Sequence, residues 1–459
     1  MRQLSDYELV QATRALRRIL DGAMFLPGEE CYDIERLSWN LGIDPRPAIV
    51  AEAAGPRDIR AAVLVARAHG LPFAVQGTGH GTIVPADGGL LLKTSLLCDV
   101  EVNPERCTAR VGAGALWSDV IAAAAPFGLA PVSGTASIGV VGYTLGGGVG
   151  WLSRRYGFAA DSVLRAEVVT ADGRSVVASA EENPDLFWAL RGGGPGFGVV
   201  TELDFRLYPV AEVYAGMALY PIDRAGEVLR RYRDWAATEP DDVTTAVTLL
   251  RMPAAPHLPE ALRGRRMLAI RALSTTGDGP LQPLLAAAGE PVSGGFGMMS
   301  FADTTAITGP PPPPMATLQR FDFLDEAGDG LLDVLLEAEL PAVELRHWGG
   351  AMGRPGPDAG PAGHRDAPFS VMAVAPYDVA GGRAGAKSTV DALAARLRPF
   401  VSGGSFLNFL TDAGCTESAF TPANYRRLAQ LKAVWDPDDF FSVGHTVVGA
   451  RAAALSAVK

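Results

Sequence analysis

The sequence predicts an α+β chain of two domains, and three observations carry that expectation. At 459 residues and 48% hydrophobic composition, the chain exceeds what one core accommodates. Up to about residue 210, short β-branched runs alternate with glycine-dense loops; beyond Pro209, longer strands such as "VYAGMALYP", "VTTAVTLL" and "RMLAIRAL" are separated by amphipathic helices. The closing stretch "NYRRLAQLKAVWDPDDFFSVGHTV" reads as a helix stopped by "DP" and then a short apolar strand, placed to return to the first domain. The expected division is 1–210, then 211–409 as an antiparallel sheet covered by helices, then 410–459 as the return.

The elements follow in order. In "SDYELVQATRALRRILDG", Ser5 and Glu8 stand in capping-box spacing, apolar residues recur at helical spacing and Gly22 is a stop, so a surface helix opens the chain. "PAIVAEA", "PRDIRAAVLVARAHG" and "LPFAVQG" read as strand, helix and strand, with Pro56 in the first helical turn and Gly70 past the last. Further strands are expected at "GLLLKT", "CTARVGAGA", "RAEVVTADG" and "GVVTELDFRLYPV", and a helix at "LWSDVIAAAAPFG". The proline run at 310–314 is a stiff surface loop.

Bulk chemistry narrows the partners. A net charge of -11 with no basic cluster speaks against nucleic acid and anionic membrane surfaces. No segment approaches the ~18 apolar residues of a membrane span and no secretory leader pattern opens the chain, so a soluble cytoplasmic protein with a small-molecule partner is expected. Four cysteines, Cys31, Cys98, Cys107 and Cys415, show no CxxC and read as buried thiols, with no metal expected.

Three glycine-rich loops concentrate the chemistry: "GTGHG" at 77–81, "GYTLGGGVG" at 142–150 and "RGGGPGFG" at 191–198, each expected to follow a strand. Such loops aim backbone N–H groups at phosphate or at an electron-rich ring. None is a GxGxxG that opens a helix with an acidic residue about 20 positions on, so a nicotinamide site is poorly supported. In the first loop a lone imidazole, His80, is flanked by glycines that leave room around it.

Taken together, "VQGTGHG…DGGLLLKTSLL", "GVVGYTLGGGVGWLSRRYG", "VVTADG", "ENPDLFWALRGGGPGFGVVTEL" and "NYRRLAQLKAVWDPDDFF" resemble the berberine-bridge-enzyme-like flavoproteins of the vanillyl-alcohol oxidase superfamily. The resemblance covers about 45–210 and 405–447. It implies the two-domain FAD-binding fold of that superfamily, FAD as cofactor, and residues 211–409 as the substrate domain. Gln76, Gly77, Thr78, Gly79, His80 and Gly81 take the place of the family loop whose histidine bonds to the flavin. Relatives often attach the flavin a second time through a cysteine where this chain has Thr135, so a single covalent link through His80 is implied. Gly134, Ser137, Ile138, Gly139 and Gly142, with Gly146, Gly147 and Gly148, would hold the pyrophosphate and pyrimidine edge. Tyr143 falls beside the flavin; Gly198, Val199 and Val200 fall at the adenine. Asn408 and Asn424 join from the C-terminal segment, while Trp151 and Tyr156 are read either as cofactor contacts or as core packing.

On the substrate side, the family's Tyr-x-Asn-Tyr is replaced by "FLNF", so neither Phe406 nor Phe409 can deprotonate a substrate hydroxyl. Glu344, His347, His364 and Tyr377 are the replacement bases expected to face the flavin, whereas amine oxidation needs no base because a neutral amine brings its own lone pair. The implied activity is hydride removal from an alcohol, phenol or amine carbon of a small or moderate-sized metabolite, with reoxidation by O2. The alternatives are a flavin scaffold for a non-redox cyclisation and a flavin-binding protein without turnover. Ile138 occupies the position where bulk marks poor oxygen users in the family, which leaves oxidase and dehydrogenase both open.

Overall fold

A computed structural model describes residues 6–448. Ser5 and the end of the expected return, 449–459, lie outside the described residues. The opening helix is Asp6–Arg17, with Ala12 and Leu16 buried.

Two sheets occupy the first part of the chain. One is four-stranded, in the order Met24–Phe25, Ile49–Glu52, Leu90–Lys93, Phe73–Gln76, with the last three strands parallel. The expected helix is present at Pro56–His69, and Gly70 closes it at φ 66. Leu90–Lys93 inserts between the two strands that this helix connects. Leu90, Leu91 and Leu92 are all buried, which suits the centre of a parallel sheet covered on both faces. The second sheet is antiparallel, ordered Val100–Asn103, Thr108–Gly112, Val199–Arg206, Val163–Val169, Ser175–Ser179.

Only one of the three glycine loops directly follows a strand. The run at 142–150 begins inside the helix Val140–Leu145, and the run at 191–198 follows the helix Pro184–Leu190. Val140, Val141 and Thr144 carry strand propensity but are buried on the short helix, so burial overrides local preference.

After Pro209 the chain builds a seven-stranded antiparallel sheet: Ser293–Ser300, Glu212–Pro221, Arg266–Ser274, Val243–Arg251, Ala342–His347, Phe369–Pro376, Thr317–Leu324. The helices Ala225–Ala236, Gln282–Ala288, Asp329–Leu336 and Arg383–Leu397 cover one face through a core that includes Val247, Ile270, Leu345 and Val371. Through Phe321 and Phe323 the other face packs, with Trp348, against Val149, Phe158 and Phe406, so it looks toward the glycine loops.

The closing helix is Pro422–Trp435. Its Leu428 and Leu431 join the core of the antiparallel first-part sheet, and Phe440 and Phe441 pack on Phe73 of the parallel one. The apolar strand expected after it does not form. Asp436 instead accepts the N–H groups of Phe440 and Phe441 at 2.9 and 2.8 Å, curling the backbone into a turn.

The cysteines also depart from expectation: Cys31, Cys98 and Cys415 are exposed, Cys107 is half-buried and all four are free. Cys31 and Cys98 lie in surface connections and Cys415 in the short 3-10 helix Ala413–Ala419, while Cys107 packs its half-buried side chain against the first-part core. Among the described residues no helix is long and apolar enough to cross a membrane.

Candidate active site

Strand Phe73–Gln76 delivers the chain into the loop carrying His80. Gly79 sits at φ 76, and a side chain there would run 3.0 Å from the Trp39 backbone nitrogen, so this glycine is required by both conformation and space. The His80 ring stacks on Trp39 with centroids 4.9 Å apart and planes 19° apart. Its Nδ1 lies 3.0 Å from Thr78 Oγ1. Burial pushes the imidazole down to about 4, so it is neutral at pH 7 with an available nitrogen lone pair. Trp39, which fixes the ring plane, stands in a segment without any glycine-rich run or motif signal and was not expected at the site.

The loop at 134–139 lies alongside: a Cβ on Gly139 would meet Thr78 Cγ2 at 3.5 Å. The Ile138 and Ala136 carbonyls accept the first N–H groups of the helix Trp117–Ala124 at 3.1 and 2.9 Å, which pins the loop from behind. Its residues Gly134 through Gly139, with Ser137 among them, are all half-buried. Among the described residues, the N–H groups of Thr78, Gly79, His80 and Gly81, and of Thr135, Ala136 and Ser137, find no hydrogen-bond acceptor.

Tyr143 fills the space behind that loop. Its ring stands 2.7 Å from where a Gly134 Cβ would lie and 3.1 Å from a Gly148 Cβ, and its hydroxyl donates to Val149 O at 2.7 Å. Burial raises this phenol to about 12. Asn408 clips the same segment: it accepts Gly148 N–H and donates to Tyr143 O, both at 2.9 Å, and lies 2.6 Å from where a Gly146 Cβ would be. Asn424 is more remote, donating to Pro361 O at 3.0 Å from the closing helix. Gly198, at φ 152, lets Val199 and Val200 enter their strand buried against Val169 and Val168. Trp151 is half-buried under the Arg346 guanidinium, 5.0 Å from its ring centre, whereas Tyr156 stacks on Tyr208 at 3.8 Å.

The four expected bases are all engaged elsewhere. Glu344 is on the loop-facing side of the large sheet but is ion-paired with Arg346 and Arg271. Burial alone would raise its carboxyl; the two guanidinium charges outweigh that and hold it below the usual range, so it stays ionised with each oxygen accepting from an arginine. His347 departs from expectation: three residues after Glu344 on a strand, it points to the opposite, helix-covered face. There its Nδ1 meets Glu239 at 2.6 Å, while its own N–H donates to the Tyr232 hydroxyl. Buried Arg154 reaches in from the first part of the chain to this cluster, donating to Val243 O at 2.7 Å and Glu239 O at 3.0 Å. His364 sits at φ 54, its Nε2 2.8 Å from Ser418 O and its ring against Gly404. The Tyr377 hydroxyl is packed against Gly42, beyond the end of its strand.

FAD, which the sequence resemblance implies, can be tested against these residues. Two facing loops offer free N–H groups for a pyrophosphate, Gly81 and Gly142 leave open space beside them, and Gln76 holds a buried Oε1 without a donor. The residues fit the group.

Residues 47–179 match the family model of an FAD binding domain, and residues 405–447 match that described as berberine and berberine like. The (R)-6-hydroxynicotine oxidase of Paenarthrobacter nicotinovorans is 36% identical over 192 residues, 41% of this chain and 42% of that relative, so this chain spans less than half of it. An FAD-linked oxidoreductase of Dictyostelium discoideum is 27% identical across 92% of this chain and 93% of its own length. Among solved structures, the 6-hydroxy-D-nicotine oxidase of Arthrobacter nicotinovorans superposes with a TM-score of 0.84 at 26% identity, covering 93% of this chain and 98% of that one. BBE-like 1 of Physcomitrella patens shares the fold, with a TM-score of 0.83 at 20% identity over 95% and 99% of the two chains.

Proposed function

We propose that this chain, which belongs to the berberine-bridge-enzyme-like FAD-linked oxidoreductases, oxidises an amine-bearing carbon of a small or moderate-sized metabolite. One observation carries the choice of amine over alcohol: Glu344, His347, His364 and Tyr377 are each bonded or packed elsewhere, and the Tyr143 hydroxyl is bound to Val149. An alcohol must lose its hydroxyl proton to a base within reach. A neutral amine supplies its own electron pair and asks the site only for position and dryness. The relative that is an oxidase of 6-hydroxynicotine supports the same substrate class.

FAD, when bound, supplies the hydride acceptor and passes the electrons on to O2. In this reading, residues 1–210 with 410–459 hold the cofactor and 211–409 shape the substrate space. His80 carries the single covalent link, its ring plane set by Trp39 and its nitrogen kept neutral by burial. The N–H groups of 78–81 and 135–137 take the phosphates, and Asn408 keeps the 143–148 backbone in place. Phe406 closes the far wall; Phe409, tilted against Phe321, and half-buried Met372 give the substrate an apolar surface.

The test is anaerobic mixing of purified enzyme with a panel of secondary and tertiary amines. Loss of the visible flavin band with an amine is the expected result. Product formed while the band stays unchanged would replace oxidation by the non-redox cyclisation reading.

Ile138 offers a check on the acceptor. The residue is half-buried and packs against the first-part core. Ile138→Val removes one methylene and should speed reoxidation of the reduced enzyme by O2, measured by stopped-flow against air-saturated buffer. Equal rates would mark Ile138 as ordinary core packing.

A further inference from the structure

Three ionised side chains meet on the loop-facing side of the seven-stranded sheet. Arg271 and Arg346 each stand opposite Ala246 in one row across three strands, and Glu344 lies one pleat further along. Glu344 accepts Arg346 Nε at 2.9 Å and Arg271 Nη2, while Arg271 also donates to Thr248 Oγ1 at 2.8 Å. Side-chain exposure is 6% for Glu344, 19% for Arg271 and 16% for Arg346.

Two cations against one anion leave one positive charge unbalanced at depth. Glu344 is the one carboxylate paired with either guanidinium among the described residues. Beyond Glu344, the groups bearing on Arg346 from the packed elements are the hydroxyls of Tyr143 and Tyr232, both raised by burial and neutral. On Arg271 the charges that bear most are Glu344 and Arg346 itself. Arg271 Nε is also buried without an acceptor. A purely structural network should not strand a charge and a donor in this way, because an uncompensated buried ion is costly. The position is informative too, since Arg346 lies over Trp151, the residue that follows the 142–150 loop run.

We infer that the substrate carries a monoanionic group, a carboxylate, which docks on Arg346 and Arg271 and completes the charge balance begun by Glu344. The charge count favours a monoanion: a phosphate dianion would overshoot to net negative. Planar guanidinium forks also match a carboxylate's two oxygens. The inference rests on reading this site as the oxidation site, and it makes the substrate an amine that also bears an acid.

The experiment titrates flavin-loaded enzyme with benzoate and phenylacetate and with their neutral amides, following both the visible flavin spectrum and the heat of binding. The acids should bind about tenfold or more tighter than the amides. Arg346→Met should erase that preference at an unchanged ratio of flavin to protein absorbance, and Arg346→Lys should keep part of it. Wild-type enzyme that binds acids no tighter than amides overturns the inference. So does an Arg346→Met enzyme whose flavin potential shifts while acid binding is untouched, because the charge would then serve the cofactor. Acid-selective heat that leaves the visible flavin spectrum unchanged would leave the anion site standing and remove the oxidation reading instead, since the site would then lie away from the flavin.

Discussion

His80→Ala protein is expected to lose its fluorescent flavin band on a denaturing gel completely, while wild type keeps one. The effect is all or none because attachment needs one nucleophilic nitrogen at one place. His80 is the only histidine of the glycine loops, and Thr135 stands where a second anchor would be. Two observations suit that role: burial holds the imidazole neutral, with a pKa down at about 4, and stacking on Trp39 fixes its plane. Trp39→Ala should therefore slow attachment without abolishing it, read as a lower band intensity after timed incubation of flavin-depleted protein with FAD. Wild-type flavin released in full by acid precipitation would refute the link.

Lys432→Met should be the most destabilising single change away from the loops. Lys432 is 1% exposed; its Nζ donates to Asp436 at 2.7 Å and to the carbonyls of Gly196 and Phe441, each at 2.9 Å. One ammonium thus ties the closing helix to the 191–198 glycine loop and to the turn that follows the helix. Removing it strands the fully buried Asp436 carboxylate, a change that costs about 3–5 kcal/mol. Urea melts followed by fluorescence should show a lower midpoint, and limited proteolysis should cut near the closing helix first. Lys432→Met combined with Asp436→Leu should recover much of the loss, because neutral packing of similar size removes the stranded charge. If the single variant melts like wild type, the pair is not what holds the C-terminal segment.

Much of this was legible in the sequence. Pro56 and Gly70 bracket their helix as written, and the alternating runs after Pro209 become the strands of one antiparallel sheet. Glycines on both sides of one imidazole drew attention to His80, and the fold gives that ring a stacking partner in Trp39. The misses share a physical cause. Leu90–Lys93 slots between two strands, the "DDFF" run curls onto Asp436 and Val140–Leu145 is helical, each decided by partners distant in sequence. The partners of the four candidate bases were hidden for the same reason. Glu344 and Arg346 stand two apart and so share a strand face, whereas His347 must face away; yet Arg271, which with Arg346 commits Glu344, comes from a strand more than seventy residues earlier. Trp39 had no local signal at all, since its role exists only after the chain folds back onto His80.

The central claim is that the chain contributes no base to the oxidation and that the substrate amine must itself be neutral. The most direct measurement is the anaerobic rate of flavin reduction against pH, repeated with a series of amines of different basicity. The rate should rise with pH along each amine's own deprotonation, so that the midpoint moves from one amine to the next as its pKa moves. A midpoint that stays fixed across the series would belong to a group on the protein, and would contradict the claim.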